Sequence, residues 1–246
     1  MDSYGTINKT TRNDVNMIAT VNPNTNKVLL TSIPRDYYVQ LHGKTGYKDK
    51  LTHAGIYGIN TVVQTIEDLF GIDINYYVRV NFTTVESLVN TIGPIEIYSD
   101  KAMSLDGCKY VVGTNTVNGK CALRFARERH SYVEGDNHRI KNQQEVIKGI
   151  FNKLSKSAMV VTDYTSILDS LDGKFATNMD MKDITAFIKY ELEDITKYEI
   201  LDTQVTGTGS MELTYSYPHQ KLYVMFPSEQ SVESAKEYIN KISNEK

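Results

Sequence analysis

No apolar stretch in this sequence approaches the ~20 residues that a membrane-spanning helix requires, and no signal peptide follows Met1. The opening Asp2-Ser3-Tyr4-Gly5 reads as the interior of something longer, so an anchor and part of a first strand are expected to precede it. An excess of cations is lacking too. The 27 Lys and Arg stand against 30 Asp and Glu, a net charge of −3, which excludes a surface built to coat a polyanion and leaves phosphate binding to local clusters. There is no Walker-type glycine loop, no dinucleotide Gly-x-Gly-x-x-Gly, no His-Glu-x-x-His and no Gly-x-Ser-x-Gly elbow. His42, His53, His130, His138 and His219 do not recur at ligand spacing, which weakens a zinc reading. Cys108 and Cys121 are too few for a zinc site or a Cys-x-x-Cys redox centre. Spacing alone leaves them open as two buried thiols or as a disulfide. With five prolines, no internal repeat and no linker-like tract, residues 1–246 are expected to form a single domain.

What is present alternates. Met17–Val21 and Lys27–Ile33 are β-rich runs around the turn Asn22-Pro23-Asn24-Thr25-Asn26, which predicts a hairpin, with Met17–Val21 apolar enough to be covered on both faces. Helical spacing follows over Asn60–Phe70, closed by Gly71. A strand at Tyr76–Val80, a helix capped by Thr83 or Thr84 and ended by Gly93-Pro94, and a strand at Ile95–Tyr98 come next. Helices are expected from about Asn137 to Lys156, from Asp180 through Glu193, and from about Ser231. Gly207-Thr208-Gly209 reads as a turn leading into two Tyr-rich strands. The pattern predicts an α/β fold, a three-layer α/β/α sandwich with a central mixed β-sheet.

Two charged clusters stand out. Arg127, Arg129, His130, His138, Arg139 and Lys141 crowd together, and Asp136, Arg139 and Gln143 share one face near a predicted helix start. A helix N-terminus favours anions, and each guanidinium can donate two parallel hydrogen bonds, so the cluster suits phosphate or pyrophosphate. Arg127 and Arg129 would point the same way on a strand-like stretch. A solvated loop with salt bridges is the competing reading. Arg12-Asn13-Asp14 and Pro34-Arg35-Asp36 form the second cluster, because a hairpin sets the start of one strand beside the end of the next. Asp2, twelve residues before Asp14, is expected at the same edge on its own strand. Carboxylates gathered beside arginines suit a hard divalent cation bridging to phosphate, or else plain Asp–Arg salt bridges.

Over nearly its whole length the sequence resembles the LytR-CpsA-Psr family. The blocks are Asp2-Ser3-Tyr4-Gly5, Arg12-Asn13-Asp14-Val15, Ser32-Ile33-Pro34-Arg35-Asp36 and Lys50-Leu51-Thr52-His53-Ala54. They continue in order with Gly93-Pro94-Ile95-Glu96, Asn118–Leu123, Phe125–Arg129, Gly135–Arg139 and Asn142-Gln143-Gln144. Asn13 stands where the family usually has serine, and Asn142 where many members have arginine.

The resemblance implies a membrane-anchored enzyme on the extracytoplasmic face of a Gram-positive cell. Such an enzyme moves a glycopolymer (teichoic acid, capsule or similar) with its linking phosphate from polyprenyl pyrophosphate to peptidoglycan. It implies Mg²⁺ held by Asp2 and Asp14, and pyrophosphate gripped by Arg12, Arg35, Arg127, Arg129 and Arg139, with Lys50 and Gln143 lining the head-group site. A compartment outside the cell favours a Cys108–Cys121 disulfide. Arg35 would carry the largest share of catalysis, and Asp36 or Asp136 would accept the proton of the incoming hydroxyl. The rivals are a lipid pyrophosphatase or phosphodiesterase using water, and an envelope module binding anionic lipid or polymer without turnover. No helix-turn-helix pattern or strongly basic face supports nucleic-acid binding.

Overall fold

The structure, a computed structural model, describes residues 7, 10–132, 136–155, 167, 169, 171, 173–186 and 198–246. Its strands are β1 Asn16–Asn22, β2 Lys27–Ile33, β3 Tyr38–Val39, β4 Asp49–Lys50, β5 Val78–Val80, β6 Ile95–Ser99, β7 Met103–Leu105, β8 Cys108–Tyr110, β9 Gly113–Val117, β10 Phe175–Thr177, β11 Glu199–Gln204, β12 Gly207–Thr214 and β13 Tyr217–Pro227. Its helices are α1 Leu51–Ala54, α2 Ile59–Phe70, α3 Phe82–Ile92, α4 Gly119–Arg127, α5 Asp136–Ser155 and α6 Glu229–Asn244, with a further helical run over 181–186. The fold is α/β. The chain divides into two compact units, one of Asn8–Tyr77 with Glu199–Lys246 and one centred on Val78–Tyr198.

The first unit is built on the mixed sheet β1-β2-β11. β1 runs antiparallel to β2 through the expected hairpin, and β11 runs parallel to β2, Glu199 beside Lys27 and Gln204 beside Ser32. Leu29 and Ile33 turn one face towards Val62, Ile66 and Phe70 of α2 and Val232, Ala235, Ile239 and Ile242 of α6. The opposite face of β2, with Val28, Leu30 and Ser32, is equally buried. The strand covered on both faces is therefore β2, not the Met17–Val21 run: β1 is an edge of the sheet, and Ala19 and Val21 are left to solvent. The Asn22 side chain donates to the carbonyls of Ile242 and Glu245, both at 2.8 Å, which satisfies two of the acceptors a helix end leaves open. Gly207 and Gly209 do not make a turn. They lie in β12, where a Cβ on Gly207 would meet the Phe226 carbonyl oxygen at 2.1 Å and one on Gly209 the Tyr223 ring at 2.8 Å. The glycines serve close approach rather than chain reversal.

In the second unit α3, α4 and α5 pack with the pairs β6-β9 and β7-β8 around Val89, Ile97, Phe125, Val146 and Ile150. The cap of α3 is Asn81, not Thr83 or Thr84. Asn81 accepts from the Thr84 N–H at 2.8 Å and Thr84 accepts in return, a reciprocal capping box. Asp180 accepts from the Asp183 N–H at 2.7 Å at the start of the 181–186 run; the rest of the helix expected to reach Glu193 lies outside the described residues. The stretch between the cysteines is ordered as β8, β9 and the start of α4, and Cys108 is joined to Cys121 in a disulfide with Cα atoms 5.6 Å apart. The bridge closes a sequence separation of 13. Its reduction should cost the protein about 3 kcal/mol on the chain-entropy account, read as a lower urea midpoint with dithiothreitol than without.

Candidate active site

The β1–β2 register sets Asn16 opposite Ile33, so the residues just before β1 lie beside those just after β2. Asp14 Oδ1 accepts from Arg35 Nη1 at 2.9 Å, Arg35 Nε lies 3.6 Å from Asp36 Oδ2, and Lys50 Nζ donates to Asp36 Oδ1 at 2.7 Å. Four residues singled out from sequence thus form one line of alternating charge, Asp14–Arg35–Asp36–Lys50. All four are only partly exposed.

Backbone bonds fix the line. The Thr52 N–H donates to the Arg35 carbonyl at 2.8 Å, and the Asn13 N–H to the Thr52 carbonyl at 3.0 Å. Gly55 is packed so close that a Cβ would meet the Thr11 carbonyl oxygen at 2.3 Å, and its N–H donates to Asn13 Oδ1 at 2.9 Å. Any side chain at Gly55 would push away the strand lead-in that carries Arg12 and Asp14. Arg12 itself is exposed and donates through Nη2 to the Tyr217 hydroxyl at 3.0 Å.

Beneath the line lies a polar network that the sequence reading missed. Asp49 is 0% and His53 1% exposed. Asp49 Oδ1 meets His53 Nδ1 at 2.6 Å and accepts from the Lys50 N–H at 2.7 Å. Its Oδ2 accepts from the Ser216 N–H at 2.9 Å and from the Ser216 hydroxyl at 2.5 Å. Burial pushes the Asp49 carboxyl up, but the bonds from His53 and Ser216 more than reverse this and hold it below the ordinary carboxylate range. Although serine, histidine and aspartate meet here, the serine hydroxyl bonds to the aspartate and not to the imidazole, so the set lacks the nucleophile–base pairing of an acyl-transfer triad. The available signal was the i,i+4 spacing of Asp49 and His53; nothing in sequence pointed to Ser216, 167 residues away.

The remaining candidates belong to the second unit. Arg127 is the last residue of α4 rather than part of a strand, because Asn118 caps a helix there by accepting from the Cys121 N–H. Its guanidinium lies 4.9 Å from the Phe82 ring centre. Burial raises the Glu128 carboxyl, yet the N–H groups of Ser131, His130 and Arg129 outweigh it and hold Glu128 low. Glu128 thereby ties down the turn that carries Arg129, whose Nε lies 3.4 Å from His130 Nε2. Arg139 and Gln143 sit one turn apart on α5, Gln143 buried. His138 beside them stacks on Tyr132 with ring centres 3.4 Å apart. Asp136 opens α5, but its side chain falls outside what the structure describes, and Asp2 lies outside the described residues. Among the described residues no three His, Cys, Asp or Glu side chains converge as a metal nest, and no helix is long and apolar enough to cross a membrane.

The pattern of the LytR_cpsA_psr family matches residues 2–238. A curated relative from Enterococcus faecalis, named polyisoprenyl-teichoic acid–peptidoglycan teichoic acid transferase TagU, is 33% identical over 208 residues, 84% of this chain and 67% of that protein. The crystal structure of B. subtilis TagU is similar with a TM-score of 0.73 at 28% identity, covering 95% of this chain and 93% of that one. The structure of TagT bound to LIIa-WTA is similar with a TM-score of 0.75 at 25% identity, covering 94% and 85%. The chain spans about two thirds of the length of the curated relatives it matches. Matched along nearly its whole length, the chain belongs to the LytR-CpsA-Psr family.

Proposed function

We propose that this chain is a phosphotransferase that moves a glycopolymer, with its linking phosphate, from a polyprenyl pyrophosphate carrier to a peptidoglycan sugar hydroxyl. The observation that carries the reading is the ordered Asp14–Arg35–Asp36–Lys50 line, which holds a guanidinium and an ammonium at fixed spacing for an anion. The relative named as a teichoic acid transferase supports the same chemistry, as does the similar fold of TagT, described as bound to LIIa-WTA. In the reaction the acceptor hydroxyl oxygen forms a bond to the phosphorus that carries the glycopolymer. The bond from that phosphorus to the bridging oxygen breaks, polyprenyl phosphate leaves, and the hydroxyl proton passes to a base, Asp36 or Asp136. Arg35 and Lys50 donate to the phosphate oxygens as charge builds on them, with Arg12 as a further ligand of the head group.

Asp14 suits Mg²⁺: it is a partly exposed carboxylate beside a phosphate-binding arginine, and this ion takes one or two carboxylates with phosphate and water completing its shell. Asp2 is the second proposed ligand. Bound there, the ion would neutralise charge on the pyrophosphate. Asp14→Asn is expected to abolish stimulation by Mg²⁺ together with most of the activity, since an amide oxygen is a poorer ligand for a hard cation. A Mg²⁺ titration of polyprenyl phosphate release that matches wild type would move the metal elsewhere. The Cys108–Cys121 disulfide supports work in an oxidising compartment, on the extracytoplasmic face of a Gram-positive membrane. The decisive experiment supplies lipid-linked glycopolymer with and without peptidoglycan. Polymer joined to peptidoglycan is the expected product; free polymer phosphate formed at the same rate either way would make the protein a hydrolase instead.

A further inference from the structure

We infer that His53, acting through Asp49 and Ser216, is a positioning residue that fixes the Tyr217 hydroxyl as the bracket for Arg12. The inference rests on Arg12 being a pyrophosphate ligand. Arg12 is an exposed side chain on a lead-in to β1, and a free arginine loses roughly 2 kcal/mol of rotamer freedom when a ligand pins it. Here one of its five donors is already engaged by the Tyr217 hydroxyl at 3.0 Å, and its guanidinium carbon lies 6.0 Å from that ring's centre. Tyr217 follows Ser216 at the tip of the β12–β13 hairpin, and that tip is held from below. The Ser216 N–H and hydroxyl both donate to Asp49, and the Tyr57 and Ser216 hydroxyls share a bond at 2.9 Å. His53 completes the anchor by bonding Asp49 through Nδ1, and its ring lies 5.4 Å from that of Tyr217. The path Arg12–Tyr217–Ser216–Asp49–His53 runs from an exposed guanidinium to a buried imidazole with a hydrogen bond or a peptide link at every step. A polar network whose only task was to fill the core would not need to end on Arg12, the exposed arginine of the cluster that also holds Arg35.

The test is calorimetric binding of inorganic pyrophosphate to the full chain, with melting temperatures measured in parallel. Tyr217→Phe deletes one oxygen and leaves the core untouched. It should weaken binding about tenfold, the value of one hydrogen bond to a charged group. His53→Ala should weaken binding by a similar factor. The double variant should be no weaker than the worse single, because both act through one contact. His53→Asn can present an amide N–H to Asp49 where Nδ1 sits, and should recover most of the affinity. Wild-type affinity in folded Tyr217→Phe, or losses that multiply in the double variant, would overturn the positioning role while leaving the proposed function standing. Failure of His53→Asn to restore what His53→Ala loses would overturn it as well. Failure of wild type to bind pyrophosphate, or no loss in Arg12→Ala and Arg35→Ala, would overturn the proposed function and this inference with it.

Discussion

Arg35→Ala should lower the rate of glycopolymer transfer by about 10²–10³ and leave the protein folded. The guanidinium lies between Asp14 and Asp36 at a partly exposed position, so its bonds add little to stability; pairs of this kind contribute roughly 0–1 kcal/mol. Its worth is in being already aimed. Asp14 takes one arm, Asp36 lies near Nε, and the backbone carbonyl of Arg35 is pinned by Thr52, so little reorganisation remains when phosphate arrives. Arg35→Lys should recover only a small part of the rate, since an ammonium cannot reproduce a planar fork held from two sides. Polyprenyl phosphate release and a thermal melt, run on the same preparation, decide the matter. A folded Arg35→Ala protein working at the wild-type rate removes Arg35 from the site.

Asp49→Ala should destabilise the protein by roughly 3 kcal/mol or more. One carboxylate accepts four hydrogen bonds there, from His53, the Lys50 N–H, and the Ser216 N–H and hydroxyl. A buried donor left without a partner costs about 1–3 kcal/mol. Its pH signature is distinct. Because the Asp49 carboxyl titrates below its ordinary value in the folded state, it adds stability above the unfolded-state pKa, and that contribution falls away as pH drops through the lower, folded value. Wild type should therefore lose stability on acidification below about pH 4, and Asp49→Asn should lose less over the same interval. Parallel slopes for the two proteins in urea melts between neutral and strongly acid pH would show that Asp49 does not supply the linkage.

The hairpin, the edge-to-edge meeting of Asp14 with Arg35 and Asp36, and the glycine-capped α2 were legible because each depends on neighbours close in sequence. Where local chemistry was ambiguous, reading failed. Gly207 and Gly209 carry the composition of a turn, and only the Phe226 carbonyl and Tyr223 ring across the pair explain why glycine is required. The helix α4 was missed because Arg127 and Arg129 were placed on a strand-like stretch, while its cap, Asn118, is a residue that suits loops as well as helix starts. Ser216 was invisible for a simpler reason: no local pattern marks a partner that arrives from another strand pair. The family blocks supplied the expected roles of Arg12, Lys50 and Gln143, and the geometry adds what holds the first two in place.

The parallel pairing of β11 with β2 joins residues about 170 positions apart, and most of the second unit, Val78–Tyr198, lies in the chain between them. Sheet pairing of such long range is slow to form, since the loop must close before the contact rewards it. A chain emerging N-terminus first therefore presents Val28, Leu29 and Leu30 to its surroundings before either Leu201 or α6 exists to cover them. The segment Val78–Tyr198 carries its own buried cluster and emerges before β11 does. Truncation just after Tyr198 should leave the second unit's sequence intact and the first without β11 and α6. The Asp14–Arg35–Asp36–Lys50 line, drawn from the first fifty positions, thus depends on the last fifty being delivered.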